Sequence, residues 1–308
     1  MQGNVLFTSI GNKTPLLIWA QKHLKGKIYG SDYDDQCVAR FVVQDFIQQH
    51  SSWNFESFIA LCKSKQIRYV FPTRDGELTF FSHHKKALQS ANIFVMISDE
   101  DVIEKCNNKW LFYQTVKTLN SDWAIPTYRE NLPNDAKWVA KPLCGAGGRE
   151  MRINISRQEA ASLTKHDGYI FQPYIEGQEY SVDLYRNRMG KIIGTIVRER
   201  TRIRDGESQI TKIVSLPILK EASEQLSQHF NLYGHHLFQW IYDGTRYYVL
   251  ECNPRVGGAS TLSFTCGLDS LQYFIAESDN NPLPNIQLKN TPNLLVRYKT
   301  DHFINSNL

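Results

Sequence analysis

Apolar and polar positions divide the 308-residue chain into stretches with different periods. Up to about residue 100, short apolar runs alternate with amphipathic segments. Val5-Leu-Phe-Thr-Ser-Ile10 reads as a strand, Thr14 to Leu24 as a helix and Lys27 to Asp32 as a second strand. Phe55 to Lys65 reads as a helix, with Tyr69-Val-Phe71 and Ile93-Phe-Val-Met96 as two further strands. Strands separated by helices predict a mostly parallel sheet covered on both faces. The stretch Asp101 to Asn120 then reads as one helical run with Phe112, Val116 and Leu119 on a single face, so a boundary is expected near Asp99.

Beyond Trp138 the pattern turns antiparallel. Trp138–Lys141, Met151–Ile153, Tyr169–Gln172, Tyr180–Tyr185, Ile192–Val197 and Thr211–Val214 read as strands, with a turn at Asn187–Gly190 and a helix from Leu219 to Phe230. His236–Tyr242 and Arg246–Glu251 predict a hairpin closed by Asp243-Gly244, which brings Gln239 near Glu251. Leu294–Tyr298 reads as a final strand and residues 305–308 as a loose tail.

Composition narrows the class. With 42% hydrophobic and 12% aromatic residues the chain can furnish a substantial core, and its net charge of +4 comes with no basic run interleaved with aromatics. Nucleic acid is therefore not an expected partner. The six cysteines are scattered without a Cys-x-x-Cys pair, which suits reduced core thiols better than disulfides or zinc. The apolar run at Val5–Ile10 has no basic leader and no segment is long enough to span a bilayer, so a cytoplasmic location is expected, with no membrane partner.

The densest chemistry lies in Glu251-Cys-Asn253-Pro-Arg255, where a strand ends in a carboxylate, an amide and a guanidinium. Alternate strand positions share a face, so Glu251 and Asn253 can offer oxygens to one hard cation; a polar turn after a buried strand is the alternative. Lys141 ends a strand before a loop with Gly145, Gly147 and Gly148, a pattern that suits phosphates and equally a glycine-rich turn. Neither a Walker A loop nor Gly-x-Gly-x-x-Gly occurs. The connector after Gln172 can present backbone groups to an adenine edge, with Glu179 placed either for ribose hydroxyls or for a surface ion pair. Asp75 and Glu77 are candidates for substrate binding or for a helix cap. The adjacent pairs His83-His84 and His235-His236 lack metal-ligand spacing and are expected in surface or core roles. Arg198, Arg200, Arg202 and Arg204 share one face if extended, and otherwise form an exposed loop.

Joined in order, these segments resemble the ATP-grasp superfamily, specifically the carboxylate–amine ligases related to the halves of carbamoyl phosphate synthase. The resemblance rests on Asn108-Lys109-Trp110, Val139-Ala-Lys141-Pro with its glycine loop, Gly177-Gln-Glu179-Tyr-Ser-Val-Asp183, and Gln239 followed by Glu251-Cys-Asn253-Pro-Arg255. Phe71-Pro-Thr73-Arg-Asp75-Gly-Glu77-Leu is similar to a segment of the Rossmann-like domain that precedes such grasps, and the short Arg297-Tyr298 to Phe303-Ile304 strand fits the same subgroup. The resemblance implies an α/β and α+β fold: a Rossmann-like domain over residues 1–100, then an ATP-grasp fold of two α+β subdomains over 101–304, with a nucleotide lid at about 118–178.

It also implies roles. Lys109 and Lys141 would contact ATP phosphates covered by Gly145, Gly147 and Gly148, while Gln172, Tyr174 and Ile175 would line the adenine pocket and Glu179 would bind ribose. Gln239, Glu251 and Asn253 would hold Mg2+, with Mn2+ as a substitute. Lys141, Arg255 and Arg198 would act in catalysis, Arg255 on the transferred phosphoryl group or the substrate carboxylate and Arg198 on substrate. Cys252, where an aliphatic residue or Met is common, and Pro173, which removes an N–H from the adenine connector, depart from the pattern. The implied reaction joins a small-molecule carboxylate to an amine through an acyl phosphate, in a chain that admits homodimerisation. A kinase-like phosphotransferase and a non-catalytic nucleotide sensor share the same nucleotide residues and stand as alternatives; a nicotinamide oxidoreductase lacks its fingerprint.

Overall fold

A computed structural model describes residues 3–134, 137–145, 150–164, 168–285, 287–301 and 303. Gly147 and Gly148 of the expected phosphate loop, and the tail 305–308, lie outside the described residues. Strands β1 (Asn4–Thr8), β2 (Ile28–Asp32), β3 (Asp45–Gln48), β4 (Ile67–Pro72) and β5 (Phe94–Val95) form a parallel sheet in the order β3-β2-β1-β4-β5. Helices α1 (Thr14–His23), α2 (Phe55–Ser64), α3 (Leu78–His83) and α4 (Lys85–Ser90) alternate with these strands. Strand β3 was not legible, because Asp-Phe-Ile-Gln is a short edge strand of half-buried residues without apolar alternation.

The strand order reverses between β1 and β4, so the loops that leave their C-terminal ends diverge and open a crevice, the usual ligand position in such sheets. Glu77 ties the two loops together: it accepts hydrogen bonds from the Thr8 and Ser9 hydroxyls and from the Thr73 and Arg74 amides. Burial raises its carboxyl pKa despite those donors.

The helical stretch expected over 101–120 is two helices, α5 (Glu100–Asn107) and α6 (Lys109–Leu119). Asn108 takes extended dihedrals between them, and its side chain accepts from the amides of Trp110 and Leu111. Asn is a better helix cap than an interior residue, which is why an uninterrupted apolar stripe breaks there.

Next come β6 (Trp138–Pro142), β7 (Arg152–Ile155), α7 (Arg157–Leu163) and β8 (Tyr169–Pro173), whose strands pair as β7-β6-β8 around a small core of Trp138, Ala140, Ala160 and Phe171. The second large sheet has the order β13-β12-β9-β10-β11-β14. It is built from β9 (Gln178–Arg186), β10 (Ile192–Arg204), β11 (Glu207–Ile213), β12 (Gly234–Tyr242), β13 (Tyr247–Asn253) and β14 (Leu294–Val296), and all its pairs are antiparallel. Helix α8 (Pro217–His229) covers one face; α9 (Thr261–Thr265) and α10 (Ser270–Ser278) follow β13.

Alternation along this sheet separates core from chemistry. Tyr180, Val182, Leu184, Val197, Phe238, Trp240 and Cys252 all enter one apolar cluster with Leu219, Leu226 and Phe230. Their neighbours in sequence, Glu179, Ser181, Asp183, Arg198, Arg200, Gln239, Glu251 and Asn253, point to the other face. Cys252 therefore packs in the core, and its departure from the expected residue type does not reach the polar face.

Candidate active site

A cavity of about 630 Å3 opens between the polar face of this sheet and the crevice of the parallel sheet. Ser9, Asn12, Lys13, Thr73, Arg74 and Asp75 line it from the crevice, while Arg198, Arg200, Gln239, Glu251, Asn253 and Arg255 line it from the sheet.

The predicted β12–β13 hairpin sets Gln239 directly opposite Glu251, with Asn253 two residues further along the same face. Asn253 Nδ2 donates to Glu251 Oε1 at 2.9 Å, which orients the amide oxygen away from the carboxylate. That oxygen accepts from Arg255 Nη2 at 3.0 Å, and Gln239 Oε1 accepts from Arg200 Nη1. Two guanidinium cations thus sit against the amide oxygens of the expected metal site.

Lys141, at the end of β6, and Lys109, at the start of α6, lie close enough to Glu251 to interact with its charge. Burial lowers the pKa of both ammonium groups, and Glu251 is the largest charge acting to raise each one. Lys109 also holds the chain at the end of β6: its amide donates to Leu143 O at 2.9 Å and its Nζ to Gly145 O at 2.8 Å. Gly145 has φ of +118°, a backbone conformation that favours glycine.

The arginine run is strand throughout, inside β10, and only its second half is exposed. Arg198 and Arg200 are buried, whereas a register shift between Arg200 and Arg202 carries Arg202 and Arg204 into solvent. Arg198 Nε donates to Asp183 Oδ2 at 2.6 Å. Asp183 also accepts from Ser260 and Ser263 and lies 3.4 Å from His235 Nε2. Burial alone would raise the Asp183 carboxyl, but Arg198 and His235 hold it far below the ordinary carboxylate range. Arg200 Nη1 bridges Glu179 and Gln239, and its Nη2 donates to Gly206 O at 2.6 Å in the β10–β11 turn.

The adenine-side residues stand apart from this cavity. Gln172 Nε2 donates to Thr127 Oγ1 at 2.9 Å inside the three-stranded layer, and the Tyr174 amide donates to Lys137 O at 2.7 Å. Ile175 follows in the connector, which Gly177 presses against the Tyr242 carbonyl. His235 and His236 are core residues, as their adjacency predicts. Among the described residues no cluster of three or more His, Cys, Asp or Glu could hold a metal. No helix among them is long and apolar enough to cross a membrane.

Three residues that line the cavity escaped the motif reading. Lys13 follows β1 at the switch point, where its position relative to a parallel strand was the available signal. Arg200 was visible only as one of a run. Arg297 enters through β14 and pairs with Glu207, Nη1 to Oε2 at 2.7 Å.

This architecture, a mixed α/β chain with a parallel sheet followed by antiparallel ones, matches the ATP-grasp fold of solved structures. Within that class, residues 165–301 match the family described as "ATP-grasp in the biosynthetic pathway with Ter operon". A stretch of 133 residues is 28% identical to the carbamoyl phosphate synthase large chain of Clostridium acetobutylicum, covering 38% of this chain and 12% of that one. Among solved structures, N5-carboxyaminoimidazole synthetase from Staphylococcus aureus complexed with ADP superposes with a TM-score of 0.73 at 16% identity, over 93% of this chain and 80% of that one. Biotin carboxylase from Campylobacter jejuni, in a β-γ-ATP complex, gives 0.70 at 17% identity over 92% and 73%. The biotin carboxylase domain dimer of Hydrogenobacter thermophilus 2-oxoglutarate carboxylase, with MgADP, ADP and bicarbonate, gives 0.72 at 15% identity over 92% and 71%.

Proposed function

We propose that the protein is an ATP-dependent carboxylate–amine ligase that forms an amide or peptide bond on a small-molecule carboxylate. The observation that supports this most is the single polar face presenting Glu179, Gln239, Glu251 and Asn253, with Lys109 and Lys141 within electrostatic reach of Glu251. Residues 1–100 and 101–304, with a lid at about 118–178, are its working units in this reading.

Gln239, Glu251 and Asn253 fit Mg2+. They supply three hard oxygens but one carboxylate, which suits a cation that completes its shell with water and phosphate oxygens. The guanidinium groups of Arg200 and Arg255 resting on two of those oxygens support this reading, since both oxygens already face a cation. The metal would neutralise phosphate charge, and ATP would supply the γ-phosphoryl group that activates the carboxylate as an acyl phosphate for attack by the amine.

The chain's own residues then have separable tasks. Lys109 and Lys141 compensate phosphate charge, and a bound polyanion restores the ammonium form that burial disfavours. Tyr174 and Ile175 border the adenine, Gln172 braces that connector through Thr127, and Glu179 takes the ribose once Arg200 yields it. Arg255 aligns the substrate carboxylate, with Arg198 beside it on the sheet. The β10–β11 turn shields the acyl phosphate from water. No side-chain nucleophile is needed.

The test is release of ADP and phosphate with Mg-ATP across pools of small carboxylates, each with and without amines. Release that needs both, with a product mass equal to their sum less water, is the expected result, and Glu251→Gln should lower it by about 100-fold or more. ADP release without any amine and without free phosphate, the phosphoryl group remaining on the carboxylate, would mark a phosphotransferase instead. Nucleotide binding without turnover on any pool would sink the ligase reading.

A further inference from the structure

Among the described residues, six cationic side chains line the cavity and are matched unevenly; Arg74 lies over the Tyr33 ring at 5.2 Å. Arg255 is taken up by Asp75, Arg297 by Glu207, Arg200 by Glu179 and Arg198 by Asp183. Lys13 is not: among the described residues its ammonium makes no hydrogen bond or ion pair, although Arg255, Glu207, Asp75 and Arg297 all act on it electrostatically. Arg198 is only partly satisfied, because its buried Nη1 has no hydrogen-bond partner. Both side chains line the same cavity, on the side of Arg255 toward the crevice and β14.

The occluded Arg198 Nη1 is not open to the cavity. Lys13 Nζ, which has no partner among the described residues, and Arg297 Nη2, which Glu207 leaves free, belong to residues that line one space, and an anion there would gain two charged donors. Burial, then Arg255, lowers the Lys13 pKa, and Glu207 and Asp75, each already paired, oppose that only partly. The substrate carboxylate aligned by Arg255 accounts for one negative charge in this space. Lys13 calls for another. Arg297 is positioned to help, since Glu207 occupies only its Nη1. Its Nη2 lies 3.0 Å from where a Cβ on Gly258 would sit, so the absence of a side chain there keeps the guanidinium against the loop after β13.

We propose that Lys13, Arg198 and Arg297 form a subsite for a second anionic group, so that the acid activated by this protein is a dianion: the reacting carboxylate plus a remote carboxylate or phosphate. This rests on the ligase reading for which carboxylate reacts, and adds the class of acid. The remote group accepts from Lys13 Nζ and Arg297 Nη2, with the buried Arg198 adding positive charge to the wall.

The experiment measures acid binding by calorimetry with Mg2+ and a non-hydrolysable ATP analogue present, and turnover with ATP in parallel. Matched pairs are compared: glutarate with pentanoate, succinate with butyrate, 3-phosphoglycerate with glycerate. The dianion of at least one pair should bind about 10- to 100-fold more tightly, the range for a hydrogen bond to a charged group. Which pair responds separates a remote carboxylate from a remote phosphate. Lys13→Gln should abolish the preference, Lys13→Arg should retain most of it, and Gly258→Ala should weaken it by displacing Arg297. Thermal unfolding of each variant checks that the fold is intact. Equal binding of mono- and dianions, no binding of either, or a preference untouched by Lys13→Gln would overturn the subsite. Turnover without preference defeats the subsite and keeps the ligase; Lys13-dependent binding without turnover does the reverse.

Discussion

Arg255 grips Asp75 with two donors, Nε at 2.9 Å on one carboxylate oxygen and Nη2 on the other, although the residues stand 180 positions apart. The pair ties the end of β13 to the loop after β4, and so joins the strand that carries Glu251 and Asn253 to the crevice of the parallel sheet. Burial alone would lower the Arg255 pKa, but Asp75 more than offsets it and the net shift is upward. The guanidinium is therefore held charged and fixed in direction where a substrate carboxylate would lie.

Removing one partner leaves the other charge buried. Asp75→Asn should destabilise the protein by on the order of 3 kcal/mol, measured by urea unfolding. A loss under about 1 kcal/mol would mean the pair behaves like an exposed one.

Lys141 should limit nucleotide binding at high pH. Its lowered pKa means the ammonium loses its proton before an ordinary lysine does at 10.5, so ATP affinity should fall as pH rises toward that value. Lys141→Arg, whose guanidinium stays protonated, should move the loss to higher pH. An unchanged alkaline profile would remove Lys141 from the phosphates.

His236 should make stability depend on pH. Burial, with His235 nearby, lowers its pKa from 6.5 to about 3, so between those values the unfolded chain binds a proton that the folded one does not. Stability then rises with pH across that window, by about 1.4 kcal/mol per pH unit for one proton, and falls as the solution is acidified. Denaturant midpoints measured through the window should show this slope, and His236→Leu should reduce it. A slope identical in the variant would assign the proton elsewhere.

Asn108 caps the helix that starts at Lys109. Asn108→Ala should cost about 1 kcal/mol, and Asn108→Ser much less, by chemical denaturation. Because the same turn aims Lys109 at Gly145, weakened ATP binding should accompany the alanine change more than the serine change.

Gly177 allows the connector between β8 and β9 to lie against β12. An added Cβ would stand 2.1 Å from the Tyr242 carbonyl oxygen, a distance no real contact tolerates. Gly177→Ala should cost more than about 2 kcal/mol and displace Tyr174 and Ile175. A variant of native stability would show that the connector can move freely.

Much of this was legible locally. The β12–β13 hairpin announced itself through two apolar runs about Asp243-Gly244, and with it came the pairing of Gln239 and Glu251. Period-two alternation placed Glu251 and Asn253 on one face before any fold was known. The break at Asn108 was hidden because the apolar stripe of α5 and α6 continues across it, and β3 was hidden because an edge strand need not alternate.

The sequence by itself determined which oxygens and cations this protein possesses, their order, and which of them share a strand face, since these follow from spacing and backbone period alone. Only the tertiary structure decided which charges meet. Asp75 with Arg255, Asp183 with Arg198, Glu179 with Arg200, and Lys13 left without a partner among the described residues all depend on sheet register and on segments 15 to 180 residues apart. Coulomb attraction and desolvation act on distance and burial, and neither is written in the local pattern of a chain.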